Sequence, residues 1–199
     1  MITEIFNKHT FDSYRVSAIM EAYSSPLAQE GAAQEEPISI FISHKHDDLN
    51  ETKGIVGYLI RNYNVRVYID SQDPSLPKST CVETAKRIKS RIQSCDKFIF
   101  LATNGAIESK WCNWELGYGD AFKYKKNIAI LAMKDTSIYG GDFKGEEYME
   151  MYPSIIYCDG KTPRKIGGFF SEGLYVQTKN GTDVFLTAFD EWLKGTLIG

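Results

Sequence analysis

One segment of the sequence places a carboxylate beside aromatic side chains. If residues 109–122, SKWCNWELGYGDAF, form a helix, then Trp111, Tyr118 and Phe122 share one narrow stripe. Glu115 then lies roughly 40° from Trp111 around the helix axis. A charged carboxylate in such a place loses solvation unless it is paired or its pKa rises, so it is a candidate site residue. The alternative is that Glu115 lies at the edge of the stripe and pairs with a surface lysine.

A second candidate is the polar run SHKHDD, which directly follows an apolar run. It offers Ser43, His44, His46 and Asp48 as ligand-binding residues. The alternative is a hydrophilic turn in which Asp48 or Asn50 caps the next helix. A metal site built on His44 and His46 is less expected, because no third ligand is apparent.

A third candidate is the loop DPSLP at residues 73–77, which offers Asp73, Pro74 and Leu76. Its two prolines stiffen the loop, but prolines also mark ordinary turns. Just beyond it, Thr80 and Glu83 have the spacing of a capping box. Glu83 is therefore expected to stabilise the start of a helix and not to belong to a site.

Several enzyme classes lack their motifs in this chain. GYGDAF has no third glycine for a dinucleotide-binding fingerprint, and neither a phosphate-binding P-loop nor a G-x-S-x-G elbow is present. A phosphoacceptor receiver domain needs an aspartate at the end of its third strand, where this sequence has Thr103.

The elements that must position these residues alternate regularly. Strand-like runs, each followed by a helical pattern except the last, cover residues 38–43, 65–70, 97–103 and 127–133. This order predicts an α/β fold with a doubly wound parallel sheet, and the candidate loops follow the carboxyl ends of its strands, where such sheets bind ligands. Residues 153–160 are a candidate fifth strand, and residues 182–193 are predicted to form the last helix, with Thr182 as its cap.

Composition fits one folded domain of cytosolic type. The 199 residues include 43% hydrophobic residues, and 23 Lys plus Arg against 26 Asp plus Glu give a net charge of −3. The charge balance argues against a general nucleic-acid binder, and no apolar run approaches the roughly 18 residues of a membrane span. Residues 1–36 are predicted to form an N-terminal helical extension and linker, and residues 37–199 the domain.

The combined motifs resemble the TIR (Toll/interleukin-1 receptor) domain of the bacterial kind. The resemblance rests on FISHKHDD, on the proline-bearing loop after YID, and on SCDKFIFLATNGAIESKWCNWELGYGD. It covers residues 37 to about 195, and its length and N-terminal extension are similar to those of TIR proteins of Thoeris anti-phage defence. The resemblance implies a flavodoxin-like, mainly parallel sheet of about five strands with helices on both faces.

The resemblance also implies a function. Such domains cleave NAD+ between nicotinamide and ribose, with NAD+ as substrate and no cofactor or metal, and those of the Thoeris type are expected to release a cyclic ADP-ribose isomer. Glu115 matches the catalytic glutamate, and the other expected site residues are Ser43, His44, His46, Asp48, Trp111 and Cys112. Implied partners are a second copy of the chain, through Asp73, Pro74 and Leu76, a phage-derived trigger and an NAD-depleting effector activated by the product. A non-catalytic TIR scaffold is the alternative.

Overall fold

The computed structural model describes residues 5–15, 36–73, 81–135, 142–164 and 167–198. Within these ranges the strands are β1 (Phe6–Asn7), β2 (Ser39–Ser43), β3 (Arg66–Tyr68), β4 (Lys97–Ala102), β5 (Ile128–Lys134), β6 (Ser154–Cys158), β7 (Gly173–Asn180) and β8 (Asp183–Ala188). The α-helices of the same ranges are α1 (Leu49–Tyr63), α2 (Val82–Ser94), α3 (Asn104–Glu108), α4 (Lys110–Lys123) and α5 (Phe189–Leu193).

All of these strands belong to one sheet. Its order is β3-β2-β4-β5-β6-β7-β8, with β1 paired to β5 beside this path. The strands from β3 to β6 are parallel to their neighbours, whereas β7 and β8 add an antiparallel edge. The predicted α/β, mainly parallel architecture is therefore confirmed, and the carboxyl ends of β2, β3 and β4 share one edge of the sheet.

The central strands are apolar on both faces because helices cover both. In β4, Ile99 and Leu101 pack on the side of α1, whereas Phe98 and Phe100 pack on the side of α2 and α4. Every residue of β4 is buried, which explains the lack of polar alternation in its sequence. The sheet thus separates two hydrophobic cores, as a doubly wound fold requires.

The prediction of a helix over residues 182–193 is wrong for its first half. Asp183–Ala188 forms β8, which pairs with β7 along six residues, and only Phe189–Leu193 is helical. Thr182 is not a helix cap, because it follows Gly181, whose φ of +59° lies in the hairpin turn. Val184, Phe185 and Thr187 favour an extended chain once β7 offers a partner strand, and that partner is invisible to a helical periodicity count.

The capping box predicted at Thr80 and Glu83 is displaced by one residue. Helix α2 begins at Val82, so Cys81 is its cap, and the Cys81 backbone N–H donates to the Thr84 hydroxyl at 3.3 Å. Glu83 is exposed and pairs with Arg87 at 3.1 Å. Thr80 lies outside the described residues.

The described part of the N-terminal extension contains a short strand and a 3₁₀ turn. Residues 6–7 form β1 against the end of β5, and residues 12–14 form one 3₁₀ turn on α1. A Cβ atom at Gly54 would lie 2.7 Å from the carbonyl oxygen of Phe11, and one at Gly57 would lie 2.0 Å from that of Tyr14. The extension therefore lies directly on the backbone of α1, while residues 16–35 lie outside the described residues.

We expect Gly57→Ala to lower the free energy of unfolding by about 1–2 kcal/mol, because the new methyl group displaces the Tyr14 backbone. Urea denaturation measures this change. The matched control is Gly117→Ala in α4, where no described atom beyond the neighbouring helix backbone lies within 4 Å of an added Cβ. The control is expected to gain about 0.5–1 kcal/mol from helix propensity, and an equal gain in Gly57→Ala would contradict the close contact.

Candidate active site

Glu115 lies on the face of α4 that packs against the sheet. The helix begins after Ser109, whose hydroxyl accepts a hydrogen bond from the Cys112 backbone N–H at 3.3 Å. Glu115 is only 1% exposed, and Cys112, Leu116 and Gly119 are the other buried positions that surround it on this face. A carboxylate is therefore held at the boundary between α4 and the sheet, where water is largely excluded.

The aromatic stripe occupies the neighbouring face of α4. Trp114 stacks with Tyr118 at 6.0 Å between ring centroids, and Tyr118 contacts Phe122 at 4.6 Å. Phe122 is 49% exposed. Trp111 remains beside Glu115, as expected, and favours its ionised form, whereas Phe122 lies at the far end of the stripe.

One oxygen of the Glu115 carboxylate is bonded and the other is not. The Ser43 hydroxyl at the end of β2 donates to Oε2 at 2.6 Å. Oε1 is buried and makes no hydrogen bond within the described part of the chain. The alternative of a surface lysine partner does not hold, because the partner is Ser43.

Burial raises the pKa of Glu115 well above its usual value, and the nearby negative charge of Asp70 raises it further. Ser43 and the Trp111 indole favour the ionised form and offset part of this rise. Among the described residues, no positively charged side chain contributes to the electrostatics of this carboxylate.

Of the first-loop residues predicted from sequence, His44 joins Ser43 at this edge of the sheet. Its side chain is fully shielded from solvent, and its Nε2 lies 2.9 Å from the Ser71 hydroxyl. Its Nδ1 lies 3.7 Å from Asp70 Oδ1. Burial lowers the pKa of His44 despite the neighbouring Asp70 charge, which favours the neutral imidazole.

Asp48 and His46, the other two predicted first-loop residues, make no hydrogen bond or ion pair with Glu115 among the described residues. Asp48 is buried, accepts a hydrogen bond from Lys8 at 3.1 Å and accepts another from the Thr103 hydroxyl at 2.5 Å. Thr103 in turn caps α3 by accepting from the Ala106 backbone N–H at 3.0 Å. Asp48 therefore ties three segments together, whereas His46 begins a 3₁₀ turn and is exposed.

Two further predicted residues, Trp111 and Cys112, lie one turn before Glu115 on α4. Trp111 is partly buried, and Cys112 is 1% exposed. Burial raises the pKa of the Cys112 thiol to about 11, so the thiol stays neutral beside the carboxylate. Both side chains lie next to the Glu115 carboxylate.

The second predicted loop is described only at its start. Asp73 accepts a hydrogen bond from the Tyr68 hydroxyl at 2.7 Å and lies 3.7 Å from Arg91 Nε on α2. Pro74 and Leu76 lie outside the described residues.

Sequence reasoning missed Asp70 and Ser71 as site residues. Both follow the YI end of the strand-like run at residues 65–70, and both contact His44. The signal that would have found them is position, because they follow the carboxyl end of a strand adjacent to β2.

Comparison with known proteins identifies the family. A family model described as TIR domain matches residues 40–152, which is more than half of the chain. This chain belongs to the TIR-domain family. The matched range begins in β2 and includes Ser43, Asp70 and Glu115, so the whole candidate site lies inside the TIR domain.

A similar protein comes from Bacillus cereus (strain MSX-D12). It carries the name "Probable 3' cyclic ADP-D-ribose synthase ThsB'" and is 36% identical to this chain over 145 residues. The aligned part covers 71% of this chain and 73% of the relative.

Other features of the TIR domain concern metal binding, membrane insertion and a second cavity. Within the described ranges, no group of three or more His, Cys, Asp or Glu side chains is placed to hold a metal ion. No helix in the same ranges is both long and apolar enough to cross a membrane. A cavity of about 500 Å³ lined by Lys125, Ser154 and Lys179 lies at the opposite end of the sheet from Glu115.

We expect Glu115→Gln to stabilise the fold at neutral pH, because it removes a carboxyl group whose ionisation the folded state disfavours. Below the pKa of the unfolded carboxyl, about 4.3, the carboxyl is protonated in both states and the substitution changes little. As pH rises from there to the raised folded pKa, only the unfolded wild type releases its proton, so wild type loses stability relative to Glu115→Gln.

Thermal midpoints of wild type and Glu115→Gln between pH 4.5 and 8 measure this difference. The control is Glu108→Gln, whose glutamate is exposed and pairs with Lys144 at 3.6 Å. A difference between wild type and Glu115→Gln that shrinks with rising pH would contradict a raised Glu115 pKa.

Proposed function

We propose that this TIR domain is a cytoplasmic anti-phage signalling enzyme of the Thoeris type. It cleaves NAD+ at the nicotinamide–ribose bond and forms a cyclic ADP-ribose isomer. The observation that carries the proposal is the buried Glu115 carboxylate, whose Oε1 has no hydrogen-bond partner among the described residues.

The charge of this site fits the reacting part of NAD+. Nicotinamide-ribose is cationic in the substrate, and positive charge moves to the ribose ring as nicotinamide leaves. At about 4 Å and an effective dielectric constant of about 20, a carboxylate attracts a unit cation by about 4 kcal/mol. That attraction corresponds to roughly a thousandfold in rate if it develops only in the transition state.

The geometry supports a fixed carboxylate. Ser43 holds Oε2 at 2.6 Å, so the carboxylate does not have to be oriented when the substrate binds. A bound cation favours ionisation of Glu115, which offsets the burial that raises its pKa in the free protein. In this proposal the Trp111 ring packs against the ribose or nicotinamide ring of the substrate.

The name of the Bacillus cereus relative supports a cyclic product for this chain as well. In our proposal the product activates a separate NAD-depleting effector. A phage-derived trigger starts the reaction, and the active form is assembled by TIR self-association. Asp73, Pro74 and Leu76 belong to the assembling loop in this proposal, and NAD+ is a substrate, so no cofactor takes part.

We expect Glu115→Gln to abolish the product, with a loss of about 10²-fold or more, because the amide keeps the shape but lacks the charge. The measurement is mass spectrometry of small molecules from infected cells that carry wild type, Glu115→Gln or the control Glu108→Gln. A species isobaric with cyclic ADP-ribose is expected with wild type and with the control, and not with Glu115→Gln.

An identical small-molecule profile from wild type and Glu115→Gln during a productive defence response would overturn the enzyme proposal. The non-catalytic scaffold would then be the better account. Thermal midpoints of the same variants show whether a lost product reflects lost chemistry or lost fold.

A further inference from the structure

A serine, a histidine and an aspartate lie next to one another at the carboxyl ends of β2 and β3. His44 Nε2 is 2.9 Å from the Ser71 hydroxyl oxygen, and His44 Nδ1 is 3.7 Å from Asp70 Oδ1. The Ser71 backbone N–H donates to Asp70 Oδ1 at 2.7 Å, which fixes the two residues relative to each other. Bond cleavage assisted by Glu115 makes no use of these three side chains.

The surroundings of the His44 ring assign its proton. We assign the ring hydrogen to Nδ1, because Nδ1 lies 3.5 Å from the Ile42 carbonyl oxygen and 3.7 Å from Asp70 Oδ1. With this assignment, Nε2 accepts a hydrogen bond from the Ser71 hydroxyl at 2.9 Å. This is the order of a hydroxyl, a base and an orienting carboxylate.

Ser71 is more exposed to solvent than His44. His44 has a fully shielded side chain, whereas Ser71 is partly exposed. Its neighbour Asp70 is near enough to Glu115 for its charge to act on that carboxylate. Ser43, which bonds Glu115, and His44, which contacts Ser71, are consecutive residues at the end of β2, so the Glu115 carboxylate and the Ser71 hydroxyl lie at the same edge of the sheet.

We propose that Ser71 and His44 form a proton relay for ring closure, with Ser71 accepting the proton of the attacking ribose hydroxyl. Ser71 is the catalytic residue of this step, and His44 and Asp70 are positioning residues behind it. The inference rests on the proposed cleavage of NAD+, and it adds the residue that favours a cyclic product over plain hydrolysis.

The step balances without a co-reactant. The bond from the anomeric carbon to the nicotinamide nitrogen breaks, and its electron pair leaves with nicotinamide. A new bond joins that carbon to a ribose hydroxyl oxygen of the same molecule. The hydroxyl proton passes to Ser71 Oγ while the Ser71 proton passes to His44 Nε2, and the relay later returns one proton to water.

The relay favours ring closure because a base accelerates the nucleophile that it contacts. Water is the competing nucleophile, and it gives linear ADP-ribose. Without the Ser71 hydroxyl, the cation formed beside Glu115 still reacts, but water captures a larger share. The ratio of cyclic to linear product therefore reports the relay separately from cleavage.

The test uses fresh lysates of infected cells that contain the full chain and receive isotope-labelled NAD+. Labelled cyclic and linear ADP-ribose are quantified, and the lysate with Glu115→Gln is subtracted to remove NAD+ consumption by other enzymes. We expect Ser71→Ala to lower the cyclic-to-linear ratio at least about tenfold. Ser71→Thr, which keeps a hydroxyl, is expected to hold the ratio near that of wild type.

His44→Gln gives a second test, because glutamine can bond Ser71 but cannot accept its proton. It is expected to lower the ratio as Ser71→Ala does, and it replaces Ser71→Ala if that variant fails to fold. The controls are Ser94→Ala, whose hydroxyl donates to the Arg91 carbonyl at 3.1 Å on the surface, and Asp47→Asn on the exposed turn.

A cyclic-to-linear ratio equal to wild type in folded Ser71→Ala and His44→Gln would overturn the relay, even if total turnover fell. Such a result would mean that the three residues only hold two loops together. A wild-type lysate with no more labelled product than Glu115→Gln would instead overturn the proposed cleavage, and the relay with it.

Discussion

The hydrogen bond between Ser43 and Glu115 joins residues 72 positions apart and fixes how α4 lies on the sheet. The contact requires close approach, and Gly119 provides it, because a Cβ at that position would lie 3.1 Å from the Phe98 ring. Cys112 and Leu116 fill the remaining space against the same core. The site therefore depends on tight packing of α4, and a loss of that packing would release the carboxylate to solvent.

Three carboxylates, those of Asp48, Asp70 and Glu115, lie at this edge of the sheet, and each has different partners. Lys8 and Thr103 satisfy Asp48, which makes Asp48 part of the scaffold. Asp70 faces His44 and the Ser71 backbone. Of these three, Glu115 has a buried oxygen, Oε1, that receives no hydrogen bond from the described residues. Asp48 therefore stabilises the fold, whereas in the proposed function Glu115 meets the cationic part of NAD+.

Local sequence patterns predicted the elements that are buried equally on both faces. The apolar run of β4 is buried on both faces, so its strand character follows from composition alone. The same reasoning failed at Asp183–Ala188, where helical spacing and strand propensity compete and the pairing partner β7 decides. Local patterns also do not indicate β1, because its partner is the distant strand β5.

The sequence by itself determined the fold class and the presence of a carboxylate beside Trp111 in the first half of α4, because both follow from local spacing and residue type, and its resemblance to TIR domains indicated the family. Only the tertiary structure decided that Glu115 turns toward Ser43 and that His44 meets Asp70 and Ser71. Ser71 is 27 residues from His44, and the two are brought together by the parallel pairing of β2 with β3. The periodicity of one segment carries no information about which strand lies next to it, so contacts between loops of neighbouring strands depend on the folded sheet.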